Sequence, residues 1–175
     1  MLLDLSKLLL QDGKSLTARA DLEMTELRFR MGRFPLVRKT PLELTVVNTG
    51  NRVLEIKGSG ELTLSIPCAR CLEPVEYSFV LDFEREVDMK LTAEERERQL
   101  EETNFMEGEQ LDPDVLARNE LLIHWPMRVL CKEDCKGICS CCGANRNHTS
   151  CNCDTRQGDP RMAAIRDIFS KCKEV

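Results

Sequence analysis

The chain of 175 residues contains no apolar run near the roughly 20 residues that a membrane-spanning helix needs, so no membrane partner is expected. It has no glycine-rich phosphate cradle, no Ser-His-Asp pattern and no pair of carboxylates in a catalytic setting. Nothing in it resembles an enzyme's active site, so neither catalysis nor a small-molecule substrate is expected. Positive charge is not in excess. The 25 basic and 30 acidic side chains give −5, which argues against a generally cationic nucleic-acid binder. The first ten residues lack a basic leader, are interrupted by Asp4 and Lys7, and precede no small-residue cleavage site. They read poorly as a signal peptide, and a cytoplasmic protein is expected. Hydrophobic residues make up 42%, enough to fill a core, so a wholly disordered chain is excluded.

What the chain has is cysteine, ten in all. Disulfides need an oxidising compartment, and clustered thiols elsewhere more often bind metal or do thiol chemistry. Seven of the ten lie between 131 and 153. The strongest unit is Cys139-x2-Cys142 followed by Gly143, a tight turn that presents two thiolates to one tetrahedral ion and frees amides to donate to the sulfurs. Cys151 with Cys153 can complete four-fold coordination, and so can Cys131 with Cys135. His148 reads as a solvated histidine and Cys141 as a spare. Zinc in a structural role is expected, as one or two ions, because thiolates and a closed site suit it; iron fits the same ligand set. A catalytic zinc would keep an open position and a nearby general base, and no base is at hand.

A second unit, Cys68-Ala-Arg-Cys71, lies between two expected strands. It reads as half of a metal site sharing Cys131 and Cys135, or as a redox pair with Arg70 lowering a thiol pKa. The redox reading is the weaker, because such motifs usually open a helix in a βαβ setting. Cys172 reads as a simple thiol on the last helix.

The expected fold class is α+β. Alternation of apolar and polar residues marks strands at 42–46, 53–57, 62–66 and 75–83, with turns at Thr49-Gly50-Asn51 and Gly58-Ser59-Gly60. This is an antiparallel meander. Asp112 and Pro113 open a helix over 112–124 that carries Val115, Leu116, Asn119, Leu122 and Ile123 on one face. Asp159-Pro160 opens a terminal helix over 160–171. The segment 131–158 has almost no aliphatic residues and cannot build its own hydrophobic core. Two domains follow: a sheet body over 1–126 with an acidic insertion at 84–111, and a Cys-rich zinc-knuckle segment with the terminal helix over 127–175. Residues 84–114 hold 12 acids against 4 bases, net −8, which leaves +3 on the rest. The insertion reads as a solvated loop or loose helix. Arg28, Arg30, Arg33, Arg38 and Lys39, interleaved with Phe29 and Phe34, read as an RNA-facing patch or as a basic strand flanking the sheet.

Taken together, several stretches resemble one family. They are Leu3-Asp4-Leu5-Ser6-Lys7-Leu8-Leu9, Ile66-Pro67-Cys68-Ala69-Arg70-Cys71-Leu72-Glu73-Pro74, Leu130 to Cys139, Cys142-Gly143-Ala144-Asn145 with Cys151-x-Cys153, and Asp159-Pro160-Arg161-Met162-Ala163. In this order they resemble the YceD family, the large ribosomal RNA subunit accumulation proteins of bacteria and plastids. The resemblance implies a non-enzymatic role in large-subunit biogenesis, with pre-ribosomal RNA or a ribosomal protein as partner; Arg70, which it maps between Cys68 and Cys71, reads as a candidate partner contact. It brings no catalytic residues with it. It maps the cluster to Cys131, Cys135, Cys139, Cys142, Cys151 and Cys153, and members exist that lack most of it. Ser140-Cys141 and Arg146 depart from the usual pattern, and neither removes a ligand. Two other readings stand beside this one: a thiol- or metal-dependent enzyme acting on RNA or redox substrates, and a zinc-stabilised interaction module unrelated to ribosomes.

Overall fold

A computed structural model describes residues 2–92, 94–95, 103–153, 162, 165 and 168. The chain divides into two compact units, Met1–Ile66 with Val75–Met127, and Pro67–Pro74 with Arg128–Val175. The division drawn from the sequence at 126/127 left Cys68 and Cys71 with the sheet body; the short excursion Pro67–Pro74 instead joins the second unit. Its backbone accounts for this, since Ala69 donates to the Val129 carbonyl at 2.8 Å and Ile138 to that of Arg70 at 3.1 Å.

The first unit is sheet. A six-stranded sheet is built from β2 (Ser15–Ala20), β3 (Glu26–Phe29), β4 (Gly32–Lys39), β5 (Leu42–Gly50), β6 (Val53–Pro67) and β7 (Pro74–Asp88), and a small three-stranded sheet from β1 (Leu3–Asp4), β8 (Met106–Glu107) and β9 (Gln110–Leu111). The larger sheet has the order β2-β5-β6-β4-β3, with β7 also on β6. Antiparallel β5 runs along the first part of β6 (Glu43↔Ser59 to Gly50↔Val53), and β4 along the second (Leu36↔Leu64 to Lys39↔Leu62). The turn between β5 and β6 holds Asn51 and Arg52 at φ of 56° and 61°, as a tight hairpin requires.

The alternating residues are the core. Leu44, Leu54, Ile56 and Leu64 are fully enclosed, and Phe79, Leu81 and Phe83 are buried along β7, while Tyr77 of the same register stays partly exposed. The expected turn at Gly58-Ser59-Gly60 does not form, and β6 runs through it unbroken. These glycines serve packing: a Cβ on Gly58 would lie 2.2 Å from Phe83 Cζ, and one on Gly60 3.2 Å from Leu42 Cδ1. Phe83 lies over the space that a side chain at 58 would fill. Buried Asn48 ties the short helix α1 (Ser6–Leu9) to β5, its amide donating to the Leu8 and Gln11 carbonyls at 3.1 Å each.

Helix α2 (Pro113–Ile123) starts as its sequence dictates, with the Asp112 carboxylate accepting from the Asp114 and Val115 amides. Its buried face is rotated from the expected one. Pro113, Leu116, Ala117, Glu120 and Leu121 are buried, whereas Leu122 and Ile123 are exposed. Glu120 is carried inside by an ion pair from its Oε1 to Arg85 Nε at 2.7 Å. The acidic insertion is regular at both ends. Glu84, Glu86 and Asp88 belong to β7, and β8 pairs with β9, whose last residue, Leu111, is fully buried. The middle of the insertion (93, 96–102), most of the expected terminal helix 160–171 and Cys172 lie outside the described residues.

Candidate metal centres

The second unit is built on two knuckles with the same hydrogen bonds. In the first, the Cys68 amide donates to the Glu73 carbonyl at 2.8 Å and the Leu72 amide to the Cys68 carbonyl at 3.0 Å. In the second, the Cys139 amide donates to the Ala144 carbonyl at 2.8 Å and the Gly143 amide to the Cys139 carbonyl at 2.9 Å. Both need a left-handed residue just after the second cysteine, and Leu72 and Gly143 supply it at φ of 64° and 73°. An antiparallel bridge between Ile138 and Asn145 closes the second knuckle.

Each knuckle provides two ligands of a four-thiol set. The first set is Cys68, Cys71, Cys131 and Cys135, and the second is Cys139, Cys142, Cys151 and Cys153; within each, all sulfurs lie within 4.8 Å of one another. In the first set Cys68 Sγ is 3.8 Å from Cys135 Sγ, and Cys71 Sγ is 3.5 Å from Cys131 Sγ. A disulfide would bring sulfurs to about 2.05 Å. A tetrahedral ion with metal–sulfur bonds of about 2.3 Å has S···S edges of about 3.8 Å. The spacing fits the second case, and the nine cysteines among the described residues form no disulfide. Each set can therefore hold one metal ion.

Donors surround the sulfurs. The Arg70 amide reaches Cys68 Sγ at 3.5 Å, and the Asn147 side-chain amide reaches Cys135 Sγ at 3.3 Å. Burial raises the Cys68 thiol, but amides of Arg70, Cys71 and Cys131 outweigh it and bring it down to about 6. The Cys142 and Cys141 amides bring Cys139 down to about 6. The opposite partners move up, Cys153 to about 12, because the thiols of Cys142 and Cys139 crowd it and it is desolvated. Thiols packed this closely resist shedding all their protons unless a cation neutralises them, which is the electrostatic signature of a ligand set.

The open choice of partners for Cys139 and Cys142 is resolved in favour of Cys151 and Cys153. Cys131 and Cys135 join Cys68 and Cys71. Cys141 is exposed and lies in neither set. His148 is exposed too, with Nε2 at 2.7 Å from Glu73 Oε1. Arg70, expected among the partner contacts, is exposed and also bonds within the unit. Its guanidinium donates to the carbonyls of Cys135 at 2.8 Å and Glu133 at 3.4 Å, so it ties the first knuckle to the segment carrying the other two ligands. Asn147 escaped the sequence reading. Its Oδ1 accepts from the Lys136 amide at 2.9 Å while its Nδ2 donates to Cys135 Sγ. Its only signal was a short amide side chain in a loop, a type that habitually bonds nearby backbone. Gly137 was also missed; it sits at φ 71°, where a Cβ would lie 3.0 Å from the Arg70 carbonyl.

The basic stretch forms the β3–β4 hairpin in the first unit, with Arg28, Arg30, Arg33, Arg38 and Lys39 all exposed. Arg38 comes within 4.0 Å of Glu76, and Lys39 donates to the Leu22 and Met24 carbonyls. Phe29 and Phe34 do not interleave with the arginines on one face. They turn inward to pack on Trp125, with ring centroids at 5.3 and 4.8 Å.

Fold and thiol sets together define an α+β protein with a cysteine-rich unit able to hold two metal ions. A family model described as large ribosomal RNA subunit accumulation protein YceD matches residues 56–169, more than half of the chain. The chain belongs to the YceD family. That description ties it to the accumulation of large-subunit ribosomal RNA. The matched stretch contains both thiol sets and begins after the β3–β4 hairpin. No curated protein and no solved structure matches the chain. No helix among the described residues is long and apolar enough to cross a membrane.

Proposed function

We propose that this chain is a non-enzymatic factor of large ribosomal subunit biogenesis in the cytoplasm. It binds pre-ribosomal RNA or a ribosomal protein, and structural zinc shapes its second unit. The observation that carries the reading is the family match, which spans both thiol sets. The chemistry of the sets supports it. Four protein thiols fill a tetrahedral shell and leave no position for a substrate, which is the arrangement of structural zinc. Zinc supplies no redox chemistry, and its complex is colourless where iron in the same ligands would absorb visible light. Affinity capture of the tagged chain from cells, with sequencing of the bound RNA, tests the role. Enrichment of large-subunit RNA or its proteins is the expected result. Its absence would favour an interaction module unrelated to ribosomes.

A thiol enzyme is the second reading, favoured by the lowered pKa of Cys68 and Cys139. Both sulfurs belong to buried residues, at 0% and 2% exposure, which counts against this reading. Alkylation of the native, metal-loaded protein should find no fast-reacting cysteine among the eight of the two sets. A rapid, stoichiometric reaction at Cys68 or Cys139 would restore the enzymatic reading.

A further inference from the structure

The β3–β4 hairpin is charged in a way that sheet pairing disfavours. Arg28 and Arg33 stand directly opposite one another, and residues so paired project from the same face. Like charges in that position repel. The last pair of the ladder is Phe29↔Gly32, which leaves Arg30 and Met31 as the tip. Three guanidiniums thus crowd a two-stranded ribbon. One carboxylate answers them, Glu26, which pairs with Arg28. Arg30 and Arg33 have no ion pair among the described residues. On the other face the ribbon is anchored by Phe29 and Phe34 against Trp125, so the arginines are presented from a fixed base.

Beside Arg28 the surface dips into a hollow of about 220 Å³ between the hairpin and α2, and Arg118 of α2 lines it as well. The Asp114 carboxylate in the same hollow already accepts from the Glu23 and Met24 amides. The hollow is smaller than the roughly 300–1,000 Å³ of small-molecule pockets. It suits a contact point for an extended partner better than a buried metabolite.

We infer that the β3–β4 hairpin, with Arg118 beside it, is a contact surface for RNA that grips backbone phosphates. Arginine is the side chain whose planar fork matches a phosphate, and bound phosphates relieve the repulsion that the opposed pair builds in. The aromatic rings face inward and provide no stacking platform, so the contact is insensitive to base sequence and depends on salt. This deepens the proposed function by naming RNA as the class of partner, and it rests on that reading. The hairpin precedes the matched residues 56–169, whereas Arg118 lies within them.

The test uses the full chain loaded with zinc and two fluorescent probes, a short uridine-only single strand and a short mixed-sequence RNA duplex. The variant Arg28→Gln/Arg30→Gln/Arg33→Gln should lose about tenfold or more in affinity. For the single strand, its log–log salt dependence should be shallower by about 2, as expected for three lost phosphate contacts. A control of equal charge change, Lys7→Gln/Lys14→Gln/Arg19→Gln, should bind as the parent does. All six positions are exposed, and matching melting curves would establish that both variants fold. Equal loss in both variants, or none in the hairpin variant, overturns the inference. So does displacement by polyglutamate as effective as by unlabelled RNA, which would assign the surface to an acidic protein. Cellular capture separates the two claims. Loss of large-subunit RNA from the captured material would sink the biogenesis reading, while hairpin-dependent binding in the purified system would still stand.

Discussion

Arg70 shows how one side chain changes meaning between sequence and structure. In the string it is a basic residue between two cysteines. In the fold its guanidinium spans to the Cys135 and Glu133 carbonyls, and its own carbonyl takes the Ile138 amide. Arg70→Ala should therefore weaken metal binding at the first set by about 10–100-fold, the usual effect of losing an outer-shell support, and leave the second set unchanged. Competition with a chromophoric chelator would measure both. Gly137 and Gly143 make a matched pair, since φ is 71° and 73°. Alanine at either carries a left-handed penalty of about 1–2 kcal/mol. At 143 nothing lies within 4 Å of the added Cβ, whereas at 137 the Arg70 carbonyl oxygen lies at 3.0 Å. Gly137→Ala should be the more damaging in thermal unfolding of the second unit. Equal effects would show that the close approach to Arg70 is not a constraint. The glycine after Cys142 was readable as a turn residue; the one at 137 was not, because its constraint comes from a segment more than sixty residues earlier in the chain.

At the scale of elements, alternation identified β5, β7 and both halves of β6, did not mark β1 to β4, β8 or β9, and misread one junction. Gly58-Ser59-Gly60 carries the composition of a turn, yet β6 continues through it because the Phe83 ring covers Gly58. Gly58→Ala should destabilise the sheet unit by about 1–3 kcal/mol, the range for overpacking a filled core. Pairing it with Phe83→Leu should recover part of that loss. Urea titrations of the four proteins form the double-mutant cycle, and strict additivity would count against the contact. Helix α2 shows a related limit. Its start was legible in Asp112-Pro113, since a cap is a local matter. Its buried face was not. Glu120 is buried and Ile123 is exposed, an order no hydrophobicity pattern would choose, and Arg85 from a distant strand makes it possible.

For the whole molecule, the two units are stabilised differently. The first has a continuous apolar core. Among the described residues of the second, the buried side chains are Cys68, Cys71, Val129, Cys135 and Cys139. A unit with so little aliphatic burial is expected to draw folding free energy from metal bound at its thiol sets. Elemental analysis should give two zinc ions per chain, with Cys139→Ser and Cys68→Ser each removing one and Cys141→Ser removing none. Stripping the metal with a strong chelator should expose the Ile138 and Cys139 amides to hydrogen exchange, while amides of the β5–β6 ladder keep their protection. Retention of protection at Cys139 after complete metal loss would show that the unit folds without it.

The local features were determined by the sequence alone: the α+β class, the alternating core of β5, β6 and β7, the capped start of α2, the Cys-x2-Cys knuckles and the concentration of acid in one insertion. Each of these is written within a few neighbouring residues, where backbone geometry and side-chain period act directly. Only the tertiary structure decided which thiols gather into each set, that Arg70 and Asn147 support them, and that Arg28 and Arg33 of the hairpin stand opposed while its phenylalanines turn inward. Cys68 and Cys135 are 67 residues apart, and Cys71 and Cys131 are 60. Short pairs of cysteines at spacings of one, two and three residues are all able to chelate, so spacing cannot rank the combinations. Within the second unit, the bonds from the Ala69 amide to the Val129 carbonyl and from the Ile138 amide to the Arg70 carbonyl bring Cys68 and Cys71 to their partners.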